Sequence, residues 1–259
     1  MTTTRPTRRE RLSAWNEKFV VEERYLDPPV RRRLYATSVV LAGVGLIAFL
    51  ILLVGVLTHT GVQHLDLPVE KWFNAQRSKD VTGYWTAMAI VFGPVVLPII
   101  VLVVVVVWMI AAKHIWRPVL LAAGMLTGVV TALVLAPIVK HPRPPVALML
   151  LGPDQTYSFP SGHVLGTADF FLILAFLLAS RIQRRWFTVA AFTLASVFIA
   201  AQIFGRLYLG YHWISDTLAS VALSLIVLGG VIALDTFRTV RVPGEKVEGE
   251  LSRRQTEGT

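Results

Sequence analysis

Apolar residues in this chain come in long blocks separated by short polar segments. Six blocks approach or exceed the roughly 20 residues that a helix needs to cross a hydrocarbon core. They run at about 36–58, 84–111, 117–139, 162–180, 187–204 and 213–234. The second is the longest and holds Pro94 and Pro98, which predicts a tilt or a kink. Between the first two blocks, Asp66-Leu67-Pro68 leads into a stretch from Val69 to Arg77 that predicts a short amphipathic helix. Its Trp72 and Phe73 suit the headgroup level of a bilayer, where anchoring is the simplest role and guiding a lipid the alternative. The expected fold is therefore all-α: a polytopic membrane bundle of six transmembrane helices, with an interfacial helix in the first outer loop.

Composition supports this picture. The chain is 54% hydrophobic and 16% charged, which sets it apart from an ordinary soluble domain. Its 25 Lys and Arg are unevenly placed: nine precede residue 36, and those between the second and third blocks, between the fourth and fifth, and after 234 raise that side to nineteen. Lys71, Arg77, Lys79, Lys140, Arg143 and Arg206 make up the other side. Cytoplasmic loops are enriched in such residues, so both termini are expected in the cytoplasm of a plasma-membrane protein. Three segments follow: a basic cytoplasmic segment 1–35, a six-span unit 36–234, and a tail 235–259 that is expected to be cytoplasmic and disordered. The basic segment reads as a topology signal touching anionic headgroups, not as a nucleic-acid site. The first block starts too late for a cleaved signal peptide, so it is expected to remain as an anchor. Cysteine is absent, and no internal repeat stands out.

Candidate chemistry lies at the block edges. Pro160-Ser161-Gly162-His163 opens the fourth block. Proline and serine before an apolar run mark a helix start, with Ser161 placed to cap it. A helix N-terminus favours anions, Gly162 permits close approach to the backbone, and His163 can donate a proton to a leaving group. Arg206, His212 and Asp216 span the junction of the last two blocks. With His212 and Asp216 both on the start of the sixth helix, the carboxylate would hold one imidazole tautomer and free the other nitrogen for attack. Arg206, with Arg143 at the end of the third block, offers guanidinium forks to phosphoryl oxygens. The plain alternative, polar residues fastening helix ends, is weak because charges at a membrane edge are costly. No metal-binding spacing is present, so metal-independent chemistry without a cofactor is expected. Asp169 and Gln202 lie within spans and are expected to face the bundle interior, with Gln202 one turn before Arg206 and suited to placing it.

Taken together these segments resemble the type 2 phosphatidic acid phosphatase superfamily, the lipid phosphate phosphatases, in its bacterial six-span form. That family carries Lys-x6-Arg-Pro, Pro-Ser-Gly-His and Ser-Arg-x5-His-x3-Asp. The second motif is complete here, and the third is present at Arg206, His212 and Asp216. The resemblance implies a phosphohistidine on His212 oriented by Asp216, with His163 as general acid. It also implies that Arg143, Arg206, Ser161 and Gly162 hold the phosphate. Two positions depart from the pattern: Ala136 stands where the lysine is expected, and Gly205 replaces the serine, a change in which the backbone amide remains. Lys140 lies three residues before Arg143 and on a continuous helix would share its face, which makes it the candidate substitute; His141 is a second.

The leading expectation is hydrolysis of a lipid phosphate or diphosphate at the outer face, with a polyprenyl diphosphate as the first candidate and phosphatidate or phosphatidylglycerophosphate behind it. Transfer of the phosphoryl group to another alcohol, or a non-catalytic lipid-binding or transport role, are the alternatives. The oligomeric state is left open.

Overall fold

The computed structural model describes residues 17–247 and 251–254. Among them are eight α-helices: α1 (Pro28–Thr58), α2 (Asp66–Ala75), α3 (Lys79–Val91), α4 (Val96–Ala111), α5 (Trp116–Val139), α6 (Gly162–Ile182), α7 (Arg185–Tyr208) and α8 (Ile214–Thr239). Five are long and apolar enough to span a bilayer, and the pair α3–α4, bent by 50° at its break, makes a sixth span. The protein is thus a multi-pass membrane bundle, as the hydropathy predicts. Exposed side chains such as Ile110, Leu133 and Ile138 present the apolar surface that acyl chains require.

The break in the second span falls at Phe92-Gly93-Pro94-Val95. Pro94 has no N–H to continue the ladder. Pro98 is accommodated in the first turn of α4, where N–H groups have no intrahelical partner anyway. Phe92 pins the bend to the bundle by packing on Phe171 of α6 and Phe198 of α7, whose rings stack at 4.4 Å.

Helix α6 forms the axis of the bundle: 67% of its apolar window is buried, against 28% for α1 and 17% for α7. Its Leu165, Ile173 and Leu177 are fully enclosed. The α1–α8 contact depends on small residues. A Cβ on Gly45 would meet the Ala222 carbonyl at 2.6 Å, and one on Gly229 would meet the Ser38 carbonyl at 2.7 Å. Ser38 Oγ donates to the Gly229 carbonyl at 2.7 Å, so backbone approach and hydrogen bonding reinforce each other.

At the end of the bundle where α1 begins and α8 ends, a small sheet departs from the all-helical expectation. Strand β1 (Val21–Tyr25) sits between β2 (Val240–Arg241) and β3 (Ser252–Arg254), in parallel register with both. Glu23, fully buried, pairs with Arg241 at 2.9 Å. The disorder expected for 235–259 therefore does not hold for 235–241, where α8 continues to Thr239 and leads into β2, nor for 252–254. The strands are too short and too charged to register as apolar blocks, and their partners lie over 200 residues away.

Because the α1–α8 interface has no room for a side chain, Gly45→Val should lower the thermal unfolding midpoint in detergent, by the equivalent of about 1–3 kcal/mol. Gly230→Val, where a Cβ meets nothing within 4 Å, should leave the midpoint unchanged. Equal effects would show that helix packing is not the constraint.

Candidate active site

Four segments meet at the opposite end of the bundle: the chain leaving α5, the approach to α6, the end of α7 and the start of α8. Asp216, wholly buried in the first turn of α8, joins them. Its Oδ2 accepts from the Trp213 backbone N–H at 2.9 Å, closing a capping interaction. Its Oδ1 accepts from His141 Nδ1 at 2.8 Å, with the Ser158 hydroxyl 3.3 Å away. His212 Nδ1 lies 3.5 Å from Oδ2. Trp213 Nε1 adds a bond to the Pro142 carbonyl at 2.7 Å.

His212 precedes α8 by two residues, so the helical i, i+4 relation to Asp216 expected from spacing is replaced by a looser one. The Ser158 carbonyl is the nearer acceptor for His212 Nδ1, at 2.9 Å. With Nδ1 donating, Nε2 carries the lone pair, and Arg143 Nη1 stands 3.2 Å from it. Burial pushes the His212 pKa down to about 4 against the upward pull of Asp216, with Arg206 and Arg143 lowering it further. The imidazole is neutral at physiological pH.

Arg143 is fixed by its own loop. Its Nε and Nη2 donate to the Thr156 carbonyl and hydroxyl, Nη2 pairs with Asp154 at 3.0 Å, and Nη1 donates to the Tyr211 carbonyl at 2.7 Å. Arg206 is buried at the end of α7, its guanidinium 4.6 Å above the Tyr211 ring. The turn from Arg206 to His212 runs through Gly210 at φ +78, where a Cβ would strike the Leu148 carbonyl. Gly205 lies inside α7, where an added Cβ would meet the Trp85 ring at 3.0 Å.

Ser161 occupies the position before α6 but makes no side-chain cap; its hydroxyl is buried and without a protein partner. Gly162 is exposed beside it. His163 follows, within electrostatic range of Arg206, His212 and Arg143, with its ring near Gly93 and the Ala89 carbonyl. That carbonyl belongs to the last turn of α3, where the break at Gly93-Pro94 leaves acceptors free of helical partners. The bend in the second span thus lies against His163.

Lys140 does not share a face with Arg143. Helix α5 ends at Val139, and Lys140 is its left-handed cap at φ 54, exposed and with no hydrogen bond to the cluster. The chain reverses there and turns His141 inward instead, where it is buried on Asp216. Gln202 is fully buried, but both its amide atoms lack partners, so no bond links it to Arg206. Asp169 is buried against Gly128 of α5, whose missing side chain leaves it room. Sequence reasoning missed Ser158, which has no distinctive spacing. It also missed Asp66 at the start of α2, whose carboxylate accepts from the backbone N–H and hydroxyl of Ser215 at 3.0 and 2.8 Å. Burial pushes the Asp66 carboxyl up to about 6 despite those bonds.

The depressed His212 pKa makes stability depend on pH. Unfolded chains bind a proton on this residue below about 6.5 and the folded protein only below about 4, so stability falls as pH drops through that window. The loss at its lower end is up to about 3 kcal/mol. His212→Gln should flatten the pH dependence of the unfolding midpoint between pH 4 and 6.5; an unchanged profile would place the His212 pKa near its ordinary value.

Residues 117–239 match the PAP2 superfamily sequence profile. Comparison with curated protein sequences gives no match. Among solved structures, the fold is similar to the crystal structure of a transmembrane PAP2-type phosphatidylglycerolphosphate phosphatase from Bacillus subtilis. The TM-score is 0.67 at 23% identity, over 74% of this chain and 94% of the other. Residues 117–239 thus resemble the PAP2 superfamily, and the chain has the fold of a transmembrane PAP2-type phosphatase.

Proposed function

We propose that the protein is a lipid phosphatase that hydrolyses a lipid phosphate or diphosphate through a phosphohistidine on His212. One observation carries the reading: Nδ1 of His212 is tied down by the Ser158 carbonyl and Asp216, so its lone pair on Nε2 faces the Arg143 guanidinium. A phosphoryl group bound by Arg143 and Arg206 would sit against that nitrogen. The unpartnered Ser161 hydroxyl and the amides opening α6 supply further donors to its oxygens.

In the first step the Nε2 lone pair attacks phosphorus, the bond to the leaving oxygen breaks, and His163 gives that oxygen its proton. In the second, water attacks the phosphohistidine with His163 as base, releasing inorganic phosphate and restoring neutral His212. Asp216 stabilises the positive charge that His212 acquires in between. Charge on the phosphoryl oxygens is balanced by guanidinium groups, and the reaction is proposed to proceed without a metal ion. His141, on the same carboxylate as His212, takes a positioning part, and the phosphate-binding part that spacing suggested for Lys140 falls to Arg143 and Arg206.

An apolar cavity of ≈ 480 Å³ between α4, α5 and α6 reaches Gly162 and His163 and is open along Val101, Leu102, Leu126 and Val129. It suits a lipid tail that stays in the bilayer while its headgroup meets the cluster, which favours hydrolysis over a soluble substrate. By the distribution of basic residues, the cluster faces outward and both termini the cytoplasm. A polyprenyl diphosphate is the first substrate to test. Phosphatidylglycerophosphate, the substrate class in the name of the Bacillus protein, is the second.

Phosphate release from each lipid should be measured in detergent with chelator present. Wild-type release that His212→Ala abolishes, and that His163→Ala slows by about 10²–10⁴, is the expected outcome; release that needs added metal, or that survives His212→Ala, would sink the mechanism. Lys140→Ala should keep activity within about twofold, whereas His141→Ala should lower kcat at least about tenfold, the size of a lost bond to a charged group. The reverse order would restore Lys140 to the site.

A further inference from the structure

A second cavity, of ≈ 490 Å³, lies at the far end of the bundle from the catalytic cluster, on the face that carries the chain termini. The 24-residue helix α5 separates the two by about 36 Å. The cavity falls in the size range of small-ligand pockets, about 300–1,000 Å³. It is walled by the α4–α5 turn, the end of α6, strand β1 and the end of α8, with Lys113, Arg117 and Arg181 among its lining residues.

The two arginines among them are not consumed by hydrogen bonds or ion pairs with described residues. Arg117 makes no hydrogen bond or ion pair with another described residue, and its Nε is buried without a partner. Arg181 likewise has none among the described residues. Arg24 stands within electrostatic range of Arg117; it is 9% exposed, its Nη1 donates to the Ser180 carbonyl, and its Nε is also unpartnered. Two carboxylates, Glu22 and Asp235, stand against these four charges. Glu22 accepts from His114 at 2.9 Å and lies 3.8 Å from Lys113. Asp235 accepts from Trp116 Nε1 at 3.0 Å through Oδ1, while its Oδ2 makes no hydrogen bond and lies within electrostatic range of Arg117 and Arg24, so it offsets one of the four charges. Converging guanidinium groups with unmade bonds, in excess over carboxylates, are what a phosphate anion requires.

The surroundings say where that phosphate comes from. Trp108 and Trp116 line the cavity at the ends of two spanning helices, the depth at which indoles mark the headgroup layer. Ile110, 73% exposed, stands on the adjoining surface where an acyl chain would lie. Lys18 binds the Met109, Ile110 and Ala112 carbonyls and so fastens the chain ahead of β1 over the same turn.

We propose that this cavity binds the phosphodiester headgroup of an anionic phospholipid from the leaflet opposite the catalytic cluster. The lipid joins β1, the α4–α5 turn and the end of α6 through Arg117 and Arg181, and so holds the terminal sheet against the bundle. The site is distinct from the catalytic one and does not depend on the substrate assigned there.

The test uses full-length protein carrying His212→Ala, in neutral detergent, with thermal unfolding titrated by short-chain phosphatidylglycerol, by short-chain phosphatidylcholine and by inorganic phosphate at constant ionic strength. Phosphatidylglycerol should raise the midpoint saturably and phosphatidylcholine should not. Arg117→Gln with Arg181→Gln should weaken the apparent affinity at least about tenfold, and so, more mildly, should Arg181→Gln alone, which alters only an exposed side chain. Adding Arg143→Gln should leave the shift intact. A shift that persists in the Arg117/Arg181 variant, that disappears with Arg143→Gln, or that phosphatidylcholine matches would overturn the proposal. Full reproduction of the shift by inorganic phosphate, lost in the same variant, would keep the anion site but overturn the lipid as its occupant.

Discussion

A carboxylate with no exposure to solvent organises the candidate active-site end of this protein. Asp216 would cost several kcal/mol to bury uncompensated. It is satisfied by His141, the Trp213 amide and the more distant His212, with the Ser158 hydroxyl beside it. Those donors belong to segments that are separate in sequence, so satisfying one charge draws the chain leaving α5, the approach to α6 and the start of α8 together. The tautomer and direction of His212 follow from that convergence. The chemistry proposed for it rests on a structural need of the fold.

The second organising feature is the broken span. A continuous helix from 79 to 111 would keep its carbonyls in its own ladder. The Gly93-Pro94 interruption bends it by 50° and lies beside His163. The same bend opens the apolar cavity between α4, α5 and α6 that leads to Gly162 and His163. One local defect therefore serves both the polar site and the path from the bilayer. The aromatic contacts of Phe92 with Phe171 and Phe198 keep it in place.

The two faces of the bundle use arginine in different ways. At the catalytic end Arg143 is held by Asp154, Thr156 and the Tyr211 carbonyl, so that its fork is fixed before any phosphate arrives. At the other end Arg117 and Arg181 carry no such restraints. Preorganised donors suit a transition state, whose charge must meet no reorganisation. Donors whose bonds are completed by the ligand suit a lipid that stays.

What the sequence determined by itself is the set of properties with short range. Six apolar blocks set the spans, because helix length against bilayer thickness is a local matter, and prolines at 94 and 98 announced the break. His163, His212, Asp216, Arg143 and Arg206 were legible because each lies at a block edge in a recognisable spacing, and the structure brings all five to one end. Lys140 was misread because spacing assumed a helix that stops one residue earlier; the left-handed turn at its end presents His141 in its place. Ser158, Asp66 and the terminal sheet left no local signal. The bond between His141 and Asp216 joins residues 75 apart, and that between Asp66 and Ser215 joins residues 149 apart. Such contacts exist only once packed helices have fixed where each end falls, and the need to satisfy every buried polar group then selects the partners.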